Sequence, residues 1–128
     1  IDSLWKDSES VKDFIKSVAI LEGFNVDEFW LTAYGESKMN LKAKGDFDKK
    51  LGIYKSRGMW QINLVAHPDV TIKCAEDPIC STKKAVALWK DTPLHWSCAR
   101  ELMGFSDKNF CGYKSIQIKD INFASKEN

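Results

Sequence analysis

A chain of 128 residues with 44% apolar and 29% charged side chains has the size and composition of one globular domain, expected to span 1–128. Its net charge of +1, from 19 basic and 18 acidic residues, lacks the basic excess of a nucleic-acid binder. No apolar run nears the ~20 residues that cross a bilayer, so no membrane span is expected.

The first predicted helix runs from Ser10 to Glu22. Val11, Phe14, Ile15, Val18, Ala19 and Leu21 recur at helical spacing, Ser10 can cap the start, and Gly23 ends it. Asn25 then caps a second helix, with Asp27 and Glu28 at the positive end of its dipole. Phe29, Trp30, Ala33 and Ser37 form its buried stripe. Glu36 lies seven residues after Phe29 and three after Ala33, so it leans toward that stripe. Burial and the negative helix end both raise a carboxyl pKa, as a general acid requires. The ordinary alternative is a solvated glutamate at a helix end.

From Met39 to Ser56 helical spacing breaks down. Gly45, Gly52 and the alternation in 51–55 predict an irregular hairpin turning at Lys49-Lys50, packed as a flap on the helices. It carries two acids, Asp46 and Asp48. Gly58 to Val65 reads as a turn into a short helix, with the amides of Gln61 and Asn63 set among Met59, Trp60 and Ile62. His67-Pro68-Asp69 caps another short helix, Val70 to Cys74. Asp77-Pro78 opens the next, whose core face is Ala85, Val86, Leu88 and Trp89. Asp91-Thr92-Pro93 breaks it, and Leu94 to Met103 forms a further helix ending at Gly104. Phe105 to Tyr113 reads as loop. Ile116, Ile118, Ile121 and Phe123 predict a last strand or short helix, and the tail from Ser125 is expected to fray.

Five tryptophans are many for this length; indoles fill cores and also line carbohydrate clefts. The cysteines are Cys74, Cys80, Cys98 and Cys111. An even count suits two disulfides in an exported protein, secreted or periplasmic. Three pairings are open, and joining neighbours gives Cys74–Cys80 and Cys98–Cys111, the expected pair. Free thiols are the competing reading. Zinc lacks a Cys-x-x-Cys pair and has only the scattered His67 and His95, so neither metal nor cofactor is expected. No basic start followed by an apolar run is present, so an export signal is expected to lie outside these residues.

Two stretches carry the chemistry in order: Glu36-Ser37-x-x-Asn40-x-x-Ala43, then Ser56-x-Gly58-Met59-Trp60-Gln61-Ile62-Asn63. Together they resemble the lysozyme-like superfamily, in particular the soluble-lytic-transglycosylase domain and goose-type lysozymes. The continuation through His67-Pro68-Asp69-Val70, Cys74-Ala75-x-Asp77-Pro78-x-Cys80 and Trp96 is similar to small bacterial and phage members. The likeness covers about residues 26–98. It implies an α+β fold, mostly α, in which a lysozyme-like helical domain carries a small β-hairpin flap beside the cleft. It also implies cleavage of a peptidoglycan glycan strand by a monomer.

By motif position, Glu36 matches the catalytic acid. Ser37, Asn40, Met59, Gln61 and Asn63 match residues of the cleft and its support, and Tyr113 takes the place of a tyrosine common on the C-terminal side of such clefts. Ser56 stands where animal-type lysozymes carry a second carboxylate, and Asn63 where goose-type enzymes carry an aspartate. Only Asp46 or Asp48 is left to supply a second acid. Retention needs carboxyl groups about 5–5.5 Å apart and inversion about 6.5–9.5 Å. Without a second acid, the substrate's own acetamide or 6-hydroxyl does the work, as in lytic transglycosylases that form 1,6-anhydro ends. The other classes weighed are a non-catalytic carbohydrate-binding module on the same scaffold and a disulfide-bonded scaffold with an unrelated partner. An intact Glu36 argues against the first of these.

Overall fold

The computed structural model describes residues 8–112, so Tyr113 and the element expected over 116–123 lie outside the described residues. Two helices open it, α1 (Ser8–Glu22) and α2 (Val26–Ser37). An antiparallel sheet follows, β1 (Lys44–Asp48), β2 (Ile53–Arg57) and β3 (Ile62–Asn63) in the order β1-β2-β3. Three helices close it: α3 (Ile72–Ala75), α4 (Pro78–Asp91) and α5 (Ser97–Leu102), with a 3₁₀ turn at Pro93–His95. This is a mostly-α, lysozyme-like α+β fold with a small sheet.

Ser10 lies inside α1 rather than capping it. Glu9 sits in the first turn, where the helix dipole favours an acid, and pairs with Lys12 at 3.1 Å. The helix closes as expected: Gly23 is left-handed, its N–H reaches Ile20 O, and Phe24 N–H reaches Ala19 O, a Schellman close. Val11, Ile15 and Ala19 are buried, whereas Leu21, expected on the same face, is exposed; burying a valine or isoleucine side chain gains about 1.5–3 kcal/mol over exposure.

In α2, Asn25 Oδ1 accepts Glu28 N–H at 3.0 Å, as its spacing predicts. The helix ends without a glycine. Lys38 and Met39 are both left-handed, each conformation costing about 1–3 kcal/mol. Tertiary contacts offset this: Lys38 Nζ donates to Cys111 O at 2.7 Å and lies over the Tyr34 ring, and Met39 is buried.

The flap is larger than the predicted hairpin. Its turn spans 49–52 rather than two lysines, because Asp48 Oδ1 accepts Lys50 and Leu51 N–H and left-handed Gly52 returns its N–H to Asp48 O. Gly58 to Val65 does not become a helix. Arg57 pairs with Ile62 and Ser56 with Asn63, which adds the third strand. Asn63 Oδ1 then accepts Val65 and Ala66 N–H, a side-chain turn that competes with helical bonding. The helix expected over 94–103 is also split. Thr92 Oγ1 caps the 3₁₀ turn, and Trp96 is extended, its Nε1 donating to Trp60 O at 2.8 Å.

The tryptophans answer the question their number raises. Trp30, Trp60, Trp89 and Trp96 are at most 7% exposed, so they fill the core; Trp5 lies outside the described residues. Phe29 packs between Trp60 and Trp89 at 4.7 and 5.1 Å, and Trp96 joins both indoles at 5.4 and 5.8 Å. Trp60 Nε1 donates to Thr82 Oγ1 at 3.0 Å and Trp96 Nε1 to Trp60 O at 2.8 Å, so these two buried N–H groups have partners. The cluster clamps α2, the sheet turn, α4 and the start of α5 together, and that clamp sets the site.

Candidate active site

Glu36 is the next-to-last residue of α2, facing the N-terminal turn of α5. Its Oε2 accepts Cys98 N–H at 3.1 Å and the Ser97 hydroxyl at 3.4 Å. The residue is half-buried. Burial pushes its carboxyl above the ordinary range, while the Cys98 N–H and the Ser97 hydroxyl pull it back. The charge of Asp46 adds to the rise, and that of Arg100 opposes it. The sequence pointed to a helix terminus that disfavours charge. The site instead sets a helix start, which favours it, against desolvation, and desolvation wins. Ser97 and Cys98 carry no local signal of this role, lying 61 and 62 residues from Glu36 in the chain.

Two disulfides hold the surroundings, Cys74–Cys80 and Cys98–Cys111, with no free cysteine among the described residues. The second pins the residue whose amide holds Glu36. Glu101 reinforces it by accepting Phe110 and Cys111 N–H at 2.8 and 3.2 Å.

The other sequence candidates divide by what their polar atoms already touch. Ser37 Oγ donates to Met59 O at 2.7 Å, tying the end of α2 to the turn after β2. Met59 is fully buried, so its side chain belongs to the core. Gln61, in a left-handed conformation, donates its amide to Gly58 O (2.9 Å) and Ala43 O (3.1 Å), bracing the loop from within. Its side chain crosses Gly45, where a Cβ would collide with its Oε1. Gly58 is required for a related reason: it is left-handed and pressed on the Ala75 carbonyl, while its N–H bonds Ala43 O at 2.8 Å.

Asn40 is exposed and its Oδ1 accepts Lys42 N–H. Asp48 is taken up by the hairpin turn. Asp46 is different. It is exposed and left-handed within β1, it accepts the hydroxyl of buried Ser56, and its charge reaches Glu36.

Next to Gln61 and Asn63 lies a cavity of about 240 Å³, walled also by His67, Leu88, His95 and Trp96. It brings together two histidines 28 positions apart, which no sequence spacing signals. His67 is held below the ordinary imidazole range, by burial first and then by the Lys84 and His95 charges, with Asp69 opposing. His95 Nε2 lies 2.8 Å from Asp91 Oδ2. Among the described residues no three His, Cys, Asp or Glu side chains are grouped to hold a metal ion, and no helix is long and apolar enough to cross a membrane.

A family model described as a lysozyme-like domain matches residues 16–97, more than half of the chain. The matched segment contains Glu36, the whole sheet, and the cavity beside Gln61 through Trp96. No curated protein and no solved structure matches the chain.

Proposed function

We propose, since the chain belongs to the lysozyme-like domain family, that it cleaves the MurNAc–GlcNAc linkage of peptidoglycan glycan strands, with Glu36 as general acid. The carrying observation is the half-buried carboxyl of Glu36, raised in pKa by desolvation and aimed by the first turn of α5. A general acid must hold its proton near the working pH and release it to the leaving oxygen. Burial favours the first, and the Cys98 N–H, which stabilises the carboxylate left behind, favours the second.

Around it, Asp46 assists by its field or by positioning water. Asn63, with the cavity it lines, serves as a sugar contact, and Ser37, Met59 and Gln61 brace the loop that follows β2. Exposed Asn40 is a further sugar contact. Two disulfides fit an exported monomer, secreted or periplasmic, and no cofactor is invoked. The chemistry is glycosidic cleavage by hydrolysis or by transglycosylation to 1,6-anhydro ends.

The test is digestion of purified peptidoglycan, with the ends of the released fragments analysed. Glu36→Gln keeps the shape, keeps an oxygen for the Cys98 N–H and loses the acidic proton. Its rate should fall by about 10²–10⁴ with the fold retained. Wild-type cleavage by that variant defeats the assignment, and binding without cleavage by the unmodified protein favours a carbohydrate-binding module instead.

A further inference from the structure

The flap carries charge and apolar surface that its own fold leaves uncovered. Between residues 42 and 55 five lysines, Lys42, Lys44, Lys49, Lys50 and Lys55, stand beside two acids, in a chain whose whole basic excess is one. Both acids are engaged within the hairpin: Asp46 accepts the Ser56 hydroxyl, and Asp48 accepts the Lys50 and Leu51 N–H groups. Among the described residues none of the five lysines forms an ion pair, whereas Arg57, at the foot of the hairpin, pairs with Glu76. The same segment exposes four large apolar side chains. Phe47, Leu51, Ile53 and Tyr54 are each between 41% and 59% exposed. Phe47 and Tyr54 face each other across the strands, with ring centroids 5.0 Å apart. That pairing supports the hairpin but leaves much of each ring in water.

We propose that the β1–β2 turn docks on an anionic lipid bilayer, with Phe47, Leu51, Ile53 and Tyr54 entering the interface and Lys44, Lys49, Lys50 and Lys55 meeting the phosphates. Ile53 is one position along β2 from Tyr54 and lies on the opposite face, and Leu51 stands in the turn between the strands. A partner laid flat against one side cannot cover apolar surface on both faces and at the tip. Entry of the tip end-on into a soft apolar layer covers all of it. Lysines around such a tip sit at headgroup level, where anionic lipid attracts them and their stems lie along the apolar side chains. Lysines on an edge strand such as β1 also discourage strand pairing, but that leaves the apolar tip without a reason. An anionic polymer would use the lysines alone, and the apolar side chains decide for lipid. The docking is independent of the chemistry at Glu36.

The test is sedimentation of the full chain with vesicles of phosphatidylcholine alone or mixed in equal parts with phosphatidylglycerol. The unmodified protein should bind the mixed vesicles at least about tenfold more tightly than the neutral ones, and less tightly as salt rises. Lys49→Gln with Lys50→Gln should weaken that binding about 25-fold, roughly fivefold for each lysine. Leu51→Ser with Ile53→Thr keeps the charge and should weaken it about tenfold. Glu36→Gln should bind as the unmodified protein does. Leu51→Trp places an indole at the tip, and vesicles of brominated phosphatidylglycerol should quench its emission more than that of the unmodified protein. Binding to neither kind of vesicle, equal binding to both, or no added quenching in Leu51→Trp overturns the docking. So does Leu51→Ser with Ile53→Thr binding within about twofold of the unmodified protein, and release by inorganic polyphosphate then marks the lysines as a site for an anionic polymer.

Discussion

Glu36 Oε2, near the C-terminal end of α2, accepts the backbone N–H of Cys98 in the first turn of α5, at 3.1 Å. Trp96, at the capping position of α5, makes no side-chain cap bond, so Glu36 fills that part from another helix. One carboxylate thus joins two helices that the aromatic cluster has already brought together. Its protonation state is set by the contest between burial and that helix start.

The contest gives a signed pH prediction. A general acid works while protonated, so its pKa sets the alkaline limb of the rate profile. The Ser97 hydroxyl favours the carboxylate form of Glu36, so Ser97→Ala should move that limb to higher pH. The Asp46 charge disfavours it, so the residual activity of Asp46→Asn should have its limb at lower pH. Profiles of kcat/KM on a soluble oligosaccharide check both, and shifts of the same sign in the two variants contradict the scheme.

Stability should respond in the matching sense. A carboxyl whose folded pKa lies above its unfolded value stabilises fully below the unfolded pKa, and that contribution is lost as pH rises through the folded pKa. Glu36 is such a group. Glu36→Gln should therefore melt higher than the unmodified protein at neutral pH, and the difference should vanish near pH 3, where both carry neutral side chains. Thermal melts across that range read it directly. Equal or lower melting at neutral pH contradicts the desolvation account.

The disulfides should differ in consequence more than in size. Cys98–Cys111, with a separation of 13, should contribute about 3 kcal/mol, and Cys74–Cys80, with a separation of 6, about 2 kcal/mol. Only the first holds the Glu36 amide partner. Cys98→Ala with Cys111→Ala should therefore change the alkaline limb as well as the denaturation midpoint. Cys74→Ala with Cys80→Ala should change the midpoint alone.

Two glycines make a steric test. Gly52 is left-handed in open space, so Gly52→Ala should cost about 1 kcal/mol, the price of a Cβ in that conformation. Gly58 has a similar backbone and a carbonyl where its Cβ would go. Gly58→Ala should cost at least about 3 kcal/mol and disturb the loop that Ser37 and Gln61 brace. Urea unfolding of the two variants compares them, and equal costs mean that the Ala75 carbonyl yields.

Much of the frame is legible because it is decided within a few residues. Asn25 caps α2, Gly23 closes α1, Asp77-Pro78 opens α4, and neighbouring cysteines join. These depend on side chains reaching backbone three or four positions away, or on closing short loops, so local spacing suffices. Glu36 on the inner edge of its helix belongs with them, since helical period alone puts it beside Ala33.

What acts on Glu36 was decided elsewhere. Ser97 and Cys98 reach it only because Trp60, Trp89 and Trp96 interlock and draw the start of α5 onto the end of α2. The choice between Asp46 and Asp48 depends on which acid the turn consumes and which meets Ser56 across the sheet. Gln61 and Asn63 match cleft residues by motif, yet an unpaired backbone group nearby is costly enough to claim Gln61's amide N–H and Asn63's carbonyl oxygen. Residue types and local periods therefore determined the helix caps, α1, α2 and α4, and the place of the acid on α2. Packing of distant segments, where burial and pairing are shared among many residues, determined that acid's partners and its charge.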